Sequence, residues 1–134
     1  MEASKQILIV EDHEFLSMAL SIGFSSDPRF EVCGVAGSYP QAIAVMAKVD
    51  ADLVIVDCDL PGGSGLELIP ILRGINPDSR YLMYSWEDPA FYELLARDAG
   101  ASGYLRKGAS TQFLLDTAAS VVSGKEYFPG IVGT

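Results

Sequence analysis

The sequence has few of the residues on which disulfide-rich folds and zinc-binding folds depend. Its 134 residues include two cysteines and one histidine. Cys33 and Cys58 lie in apolar stretches without CxxC spacing, so a disulfide framework and a zinc site are both disfavoured. Apolar runs of membrane-spanning length are missing, and the amino terminus lacks the apolar core of a secretory signal. These absences predict a cytoplasmic protein that makes no membrane contact.

Basic residues are also scarce. Nine Lys and Arg residues stand against eighteen Asp and Glu residues, which gives a formal net charge of −9. Binding to nucleic acid or to anionic lipid rests on clustered positive charge. The composition therefore predicts that this chain does not itself bind nucleic acid. Apolar residues, in contrast, make up 49% of the chain, and that share is enough to build the core of one ordinary domain.

Five short apolar runs alternate with five stretches of helical periodicity. The runs cover residues 7–10, 30–36, 53–56, 81–84 and 103–105. Ser38 and Gln41 form a capping-box pattern, Ser64 and Glu67 form a possible second one, and Asp88-Pro89 opens the fourth helix. Strict alternation of apolar strands and helices indicates a parallel sheet covered by helices on both faces. The expected architecture is a single α/β domain, doubly wound.

The helical stretches also predict which side chains face the core. The second stretch offers Ile43, Met46 and Val49, and the fifth runs from Ser110 to Gly124. In the third, Pro70 follows Ser64 by six residues, so either this helix begins later than Ser64 or its first turns are distorted. The expected buried stripe of the third helix is Leu68, Ile71, Leu72 and Ile75.

Reactive side chains follow four of the five predicted strands. Glu11 and Asp12 follow the first, Asp57, Cys58 and Asp59 the third, Ser85 ends the fourth, and Lys107 follows the fifth. The carboxyl ends of parallel strands meet at one edge of the sheet, where ligands bind. Carboxylates crowded together repel unless a cation neutralises them, and Mg²⁺ prefers oxygen ligands. The pattern therefore implies a magnesium site.

A carboxylate beside a metal, a hydroxyl and a lysine can also attack phosphorus and hold the product as an acyl phosphate. Each residue has a simpler explanation when it is taken alone. The Glu11-Asp12 pair could cap the next helix, Ser85 could be a turn residue, and Lys107 could be a solvated surface charge. Their coincidence at four strand ends favours phosphoryl chemistry.

Four motifs together resemble the response-regulator receiver domain of two-component signalling. They are ILIVEDH, LVIVDCDLPGGSGLELI, LMYS and GASGYLRKG, and the match covers about residues 5–125. The resemblance implies a flavodoxin-like (βα)5 fold with strand order 2-1-3-4-5 and a sensor histidine kinase as partner. It implies no enzymatic activity beyond self-catalysed phosphotransfer and autodephosphorylation.

The EDH opening and the Gly-Ala-Ser that follows Lys107 are similar to the NarL/LuxR-type subgroup. Receivers of that subgroup precede a DNA-binding domain that regulates transcription. The resemblance therefore implies that residues 1–134 form the receiver. Either residues 125–134 begin a linker to an output domain absent from this chain, or the protein is a stand-alone receiver.

The resemblance assigns roles to the acidic residues by position. Asp57 is the implied phosphoacceptor and Asp12 a direct Mg²⁺ ligand. Glu11 is implied to bind the ion through water, and the main-chain carbonyl of Asp59 to complete the protein ligands together with Asp57.

The resemblance also implies a switch. Ser85 and Lys107 are implied to bind the phosphoryl group, after which Ser85 moves inward and Tyr104 follows. The face formed by the fourth helix, the fifth strand and the fifth helix then changes shape and controls homodimerisation or an output domain. For Tyr104, an ordinary core aromatic is the competing interpretation.

One residue departs from the family pattern. Trp86 stands where receivers usually have a small residue, and an indole at the mouth of the site could slow phosphotransfer, exclude small donors or slow attack by water. The indole could equally pack outward against the fourth helix. Glu87 and Asp59 occupy positions that tune hydrolysis in the family.

Two other functions stay open. A pseudo-receiver that works without phosphorylation has Trp86 as its support. A phosphatase of the haloacid-dehalogenase type is suggested by the Asp57-x-Asp59 pair, but it needs a second acidic pair beyond the lysine. Only Asp116 and Glu126 remain for that task, and they are far apart in the sequence.

Overall fold

The computed structural model describes residues 3–131, which form a five-stranded parallel sheet. The strands are β1 (Lys5–Val10), β2 (Phe30–Ala36), β3 (Leu53–Val56), β4 (Arg80–Ser85) and β5 (Gly103–Arg106). Their spatial order is β2-β1-β3-β4-β5 and neighbouring strands are parallel. The predicted flavodoxin-like, doubly wound topology is therefore confirmed.

Five helices cover the two faces of this sheet. They are α1 (Glu14–Ser25), α2 (Tyr39–Met46), α3 (Gly65–Ile75), α4 (Pro89–Ala99) and α5 (Thr111–Val122). Side chains of α1 and α5 pack on one face, and side chains of α2, α3 and α4 pack on the other. Within residues 3–131, none of these helices has the length and apolar character required to cross a bilayer.

The core follows from the alternation of side chains along the buried strands. In β1, Ile7 and Ile9 contact the α1/α5 layer, whereas Leu8 and Val10 contact the opposite layer. All four are essentially inaccessible to solvent, and full burial of one such side chain contributes about 1.5 to 3 kcal/mol. Because both faces are covered, the central strands read as continuous apolar runs.

Polar caps start the helices where the sequence predicts them. The side chains of Ser38, Ser64, Asp88 and Ser110 each accept a hydrogen bond from a backbone N–H in the first turn of the helix that follows. The capping box at α2 differs from the usual form, since Gln41 Oε1 accepts from the Gly37 N–H at 2.6 Å. Gly100 ends α4 in the left-handed conformation with φ +109°, which favours glycine.

Helix α3 corrects part of the predicted core. It begins at Gly65, directly after its cap Ser64, with Pro70 inside it. Its buried residues are Gly65, Leu68, Ile69 and Leu72, whereas Ile71 and Ile75 are 41% and 40% exposed. The expected stripe was wrong at these two positions, because the buried face of the helix runs through Leu68, Ile69 and Leu72. Val49 lies beyond the end of α2 at Met46 but still packs against the core.

After α5 the chain turns back and packs against the edge of the sheet. Gly124 makes the turn with φ +112°, and Tyr127 forms a parallel bridge with Gly103 of β5. Phe128 is 9% exposed and joins the core on the α4 side. We call residues 126–131 the C-terminal strap. Residues 132–134 lie outside the described residues, and the expected linker and output domain stay predictions.

Candidate functional site

An acidic cleft of about 550 Å³ opens at the carboxyl ends of the strands. Five of the residues singled out at the strand ends line it, together with Trp86 and the first turn of α1. They are Glu11, Asp12, Asp57, Asp59 and Lys107. The cleft lies between β1 and β3, where the strand order reverses, as expected for a ligand site in a doubly wound sheet.

Backbone hydrogen bonds continue the sheet beyond the ends of its strands and so fix the reactive residues. The Asp57 N–H donates to the Val10 carbonyl at 3.0 Å, and the Glu11 N–H donates to the Ala36 carbonyl at 2.9 Å. On the other side of the cleft, the Lys107 N–H donates to the Ser85 carbonyl at 2.8 Å. The backbone of Glu11, Asp57 and Lys107 is therefore tied directly to the sheet.

Three carboxylates converge in the cleft. Glu11, Asp12 and Asp57 each offer one oxygen, and these three oxygens lie within 4.8 Å of one another. Glu11 and Asp57 are buried, whereas Asp12 is exposed. A cluster of carboxylate oxygens of this size suits a hard divalent cation such as Mg²⁺. Asp59 lies at the rim, where its N–H donates to Asp57 Oδ1 at 3.2 Å.

Lys107 supplies the positive charge inside this cluster. Its Nζ lies 2.6 Å from Glu11 Oε1 and 2.9 Å from Asp57 Oδ2, and its side chain is 4% exposed. Burial by itself would lower the pKa of Lys107, but its hydrogen bonds to Glu11 and Asp57 outweigh burial and raise that pKa. Burial raises the pKa of Glu11, and the hydrogen bond to Lys107 offsets part of the shift. One ammonium facing three carboxylates leaves a net negative site.

Ser85 and Tyr104 meet at the backbone of Glu87. Ser85 is fully buried, and its Oγ accepts a hydrogen bond from the Glu87 N–H at 3.2 Å. Tyr104 is 1% exposed, and its hydroxyl donates to the Glu87 carbonyl at 2.7 Å. Burial raises the pKa of Tyr104 to about 12, so the hydroxyl is protonated at neutral pH. Tyr104 is thus a core aromatic that also contacts the loop after β4.

Trp86 stands at the rim of the cleft. Its side chain is 66% exposed and lies beside Gly108, where an added Cβ would come within 3.7 Å of Cζ3 of the indole. The neighbouring Glu87 carboxylate raises the pKa of Tyr92 on α4. The effects of Trp86 and Glu87 on phosphotransfer or hydrolysis stay predictions.

The acidic residues needed by a haloacid-dehalogenase-type phosphatase are not brought to the cleft. Asp116 pairs with Arg29 at 3.0 Å, and Arg29 precedes β2 at the amino-terminal edge of the sheet. Glu126 is exposed in the C-terminal strap.

Sequence reasoning missed two residues that support the site. The His13 N–H donates to Glu11 Oε2 at 3.0 Å, and its Nδ1 accepts from the Leu16 N–H at the start of α1. The position of His13 just before a helical stretch was the available signal. Gly65 lies so close to Asp57 that an added Cβ would overlap the Asp57 carbonyl oxygen. No sequence pattern predicts this contact.

Two exposed apolar patches lie on the helices. On α4, Phe91 is 74% exposed and Leu94 and Leu95 are about half exposed. On α1, Phe15, Met18 and Ile22 are 80%, 57% and 65% exposed and share one side at helical spacing. The α1 patch, which the sequence analysis did not single out, adjoins the cleft because Phe15 lines both.

Residues 7–119 match the family described as the response regulator receiver domain. The chain belongs to this family. The receiver is 32% identical over 124 residues to a putative transcriptional regulator of Pseudomonas aeruginosa, covering 92% of this chain and 59% of the relative. It is 28% identical over 123 residues to the nitrate/nitrite response regulator protein NarP of Escherichia coli, covering 92% and 57%. The receiver thus spans less than two thirds of these relatives.

Solved structures agree with the assignment. A LuxR-family two-component response regulator from Aurantimonas sp. has a TM-score of 0.87 at 24% identity, covering 92% of this chain and 89% of that one. The signal receiver domain of the putative response regulator NarL from Mycobacterium tuberculosis has a TM-score of 0.87 at 19% identity, covering 92% and 100%. Both structures share the fold of this receiver.

Proposed function

We propose that this receiver is a phosphorylation-dependent switch whose acceptor is Asp57. The observation that carries the proposal is the buried contact of Asp57 with Lys107 in an open cleft that also holds Glu11 and Asp12. An Asp57 oxygen attacks the phosphorus atom carried by a sensor histidine kinase. The bond from phosphorus to the kinase's histidine nitrogen breaks, and the electron pair stays on that nitrogen, which takes up a proton.

The proposed cofactor is Mg²⁺. Asp12, Asp57 and the main-chain carbonyl of Asp59 would hold it, and Glu11 would bind it through water. The three carboxylate oxygens within 4.8 Å of one another fit such an ion. When bound, the ion supplies positive charge against the phosphoryl oxygens. Asp57 itself is oriented by the Asp59 N–H on Oδ1 and by Lys107 on Oδ2.

The switch begins with the residues that face the phosphoryl group. Lys107 pairs with a phosphoryl oxygen, and the Ser85 hydroxyl donates to another while its oxygen still accepts from the Glu87 N–H. Glu87 is then held on both sides, because its carbonyl accepts from Tyr104. Movement at Ser85 therefore reaches Tyr104 through one residue, and from there the face of α4, β5 and α5.

The partners follow from the exposed patches. The α1 patch, which shares Phe15 with the cleft, is the proposed docking face for the sensor histidine kinase. The α4 patch is the proposed dimer face of the phosphorylated form. The proposed setting is the cytoplasm, with an output domain that regulates transcription, because the named relatives are transcriptional and response regulators.

Incubation with acetyl phosphate and Mg²⁺ tests the acceptor. We expect intact-mass spectrometry to show one added phosphoryl group on the native protein and none on Asp57→Asn. Asp59→Asn is the matched control, because it keeps the main-chain carbonyl and should still be phosphorylated. Absence of an adduct with acetyl phosphate and also with a phosphorylated kinase would reject the switch and favour a pseudo-receiver.

Light scattering tests the dimer face. Beryllofluoride with Mg²⁺, which mimics the phosphoryl group, should shift the molar mass from monomer toward dimer. Leu95→Glu on α4 should stay monomeric, since a carboxylate in an apolar interface is costly to desolvate. Ile71→Glu, on the exposed side of α3, should behave as the native protein. Identical masses with and without beryllofluoride would contradict the proposed dimerisation.

A further inference from the structure

The C-terminal strap pairs with the edge of the sheet through one parallel bridge, between Tyr127 and Gly103. The Tyr127 N–H donates to the Ser102 carbonyl at 3.0 Å, and the Tyr104 N–H donates to the Tyr127 carbonyl at 2.9 Å. The Tyr127 ring packs edge-to-face on Phe113 of α5, with the ring centroids 5.9 Å apart. The strap therefore covers the outer edge of β5 at Tyr104, which belongs to the proposed switch.

A buried carboxylate fastens the strap to α4. Glu93 is 2% exposed, and its Oε1 accepts a hydrogen bond from the Gly130 N–H at 3.1 Å. A Cβ on Gly130 would lie 2.7 Å from Glu93 Oε2 and 3.1 Å from Cδ, so a side chain at residue 130 would displace the Glu93 carboxylate from its present position. A carboxylate is rarely buried unless it is hydrogen-bonded. The strap thus provides the hydrogen bond that makes the burial of Glu93 tolerable.

Tyr104 connects the strap to the cleft. Its hydroxyl contacts the Glu87 carbonyl, and its backbone N–H contacts Tyr127. The Glu87 N–H in turn contacts the Ser85 hydroxyl. Three hydrogen bonds, joined through the covalent structure of Glu87 and Tyr104, therefore connect the proposed phosphoryl-binding serine to the strap.

We propose that the strap is a latch whose hold on β5 and α4 depends on the state of the cleft. The proposal rests on the proposed function. When the phosphoryl group draws Ser85 toward it, Tyr104 is fixed in its buried position, and the strap is then held more tightly against β5 and Glu93. The switch thereby controls how the segment after α5 leaves the domain. Because coupling between two sites is reciprocal, loss of the latch must weaken phosphoryl-mimic binding by the same factor.

Hydrogen exchange measured by mass spectrometry tests the latch. We expect beryllofluoride with Mg²⁺ to slow exchange of a peptide covering residues 125–131 by about fivefold or more, within the usual range of allosteric coupling. Glu93→Ala and Gly130→Ala should each abolish this slowing. Each should also weaken beryllofluoride binding, measured by fluorine NMR, by the factor by which exchange slows in the native protein. Glu93→Gln is the matched control, because its amide oxygen can still accept from the Gly130 N–H.

The outcomes separate the latch from the proposed function. Beryllofluoride binding with unchanged or faster exchange of the strap overturns the latch and leaves the phosphorylation switch standing. Equal beryllofluoride affinity in the native protein and in Gly130→Ala also overturns it. If neither beryllofluoride nor a phosphoryl group binds, both proposals fail. The exchange measurement on the native protein can contradict the latch by itself. The test therefore does not depend on whether the variants fold.

Discussion

Replacing Lys107 with methionine is expected to lower the free energy of unfolding by about 3 to 5 kcal/mol in the absence of Mg²⁺. The Lys107 ammonium lies between the buried carboxylates of Glu11 and Asp57, at 2.6 Å and 2.9 Å. Methionine keeps the apolar part of the side chain and removes the charge. The two carboxylates then face each other without a counter-charge, and taking one partner out of a buried ionic cluster costs far more than losing a surface pair.

Urea unfolding in EDTA and in Mg²⁺ measures this effect. Mg²⁺ should stabilise Lys107→Met more than the native protein, because the ion no longer competes with an ammonium for the same carboxylates and ligand binding adds to folding stability. Lys48→Met, at an exposed position of the chain, is the matched control and should change stability by about 0.5 kcal/mol or less. Equal stability of Lys107→Met and Lys48→Met in EDTA would show that the cluster does not depend on this ammonium.

The topology and the position of the cleft could be predicted because they depend on local patterns. Each central strand is a run of apolar residues, each helix starts at a polar cap, and strand-helix alternation leaves a doubly wound sheet as the simplest solution. The parallel arrangement then brings Asp57, Ser85 and Lys107 to one edge whatever the details of packing. The sequence order was enough to predict that Asp57 and Lys107 would meet in the cleft, whereas the Ser85 hydroxyl contacts the Glu87 N–H.

Packing between distant segments could not be predicted in the same way. In α3, Ile69 is buried and Ile71 is exposed, and Gly65 packs directly against Asp57, which the spacing of apolar residues does not predict. The strap depends on the pairing of Tyr127 with β5, and short pairings at an edge leave no periodic signal. The burial of Glu93 depends on that same strap. These features follow from contacts made only after the sheet has formed.

Gly65→Ala is expected to destabilise the receiver by about 3 kcal/mol. Gly65 starts α3, and its N–H donates to the Cys58 carbonyl at 2.8 Å. An added Cβ would overlap the Asp57 carbonyl oxygen and would come within 3.0 Å of the carbonyl carbon and of Val56 Cγ1. The obstacle is backbone rather than the end of a flexible side chain, so β3 and α3 must move apart. The cause is steric, since Gly65 is not among the glycines with positive φ.

Gly74→Ala, in the same helix, is expected to stabilise the receiver. A Cβ at Gly74 would meet nothing within 4 Å, and alanine is about 1 kcal/mol better than glycine inside an exposed helix. The same chemical change should therefore stabilise the protein at residue 74 and destabilise it at residue 65, as measured by the midpoint of urea unfolding. Gly65→Ala should also slow phosphorylation by acetyl phosphate, because the displaced backbone carries Asp57, whereas Gly74→Ala should be phosphorylated normally. If the two variants have equal midpoints and equal phosphorylation rates, α3 does not start against Asp57, and the position of the acceptor carboxylate does not depend on this contact.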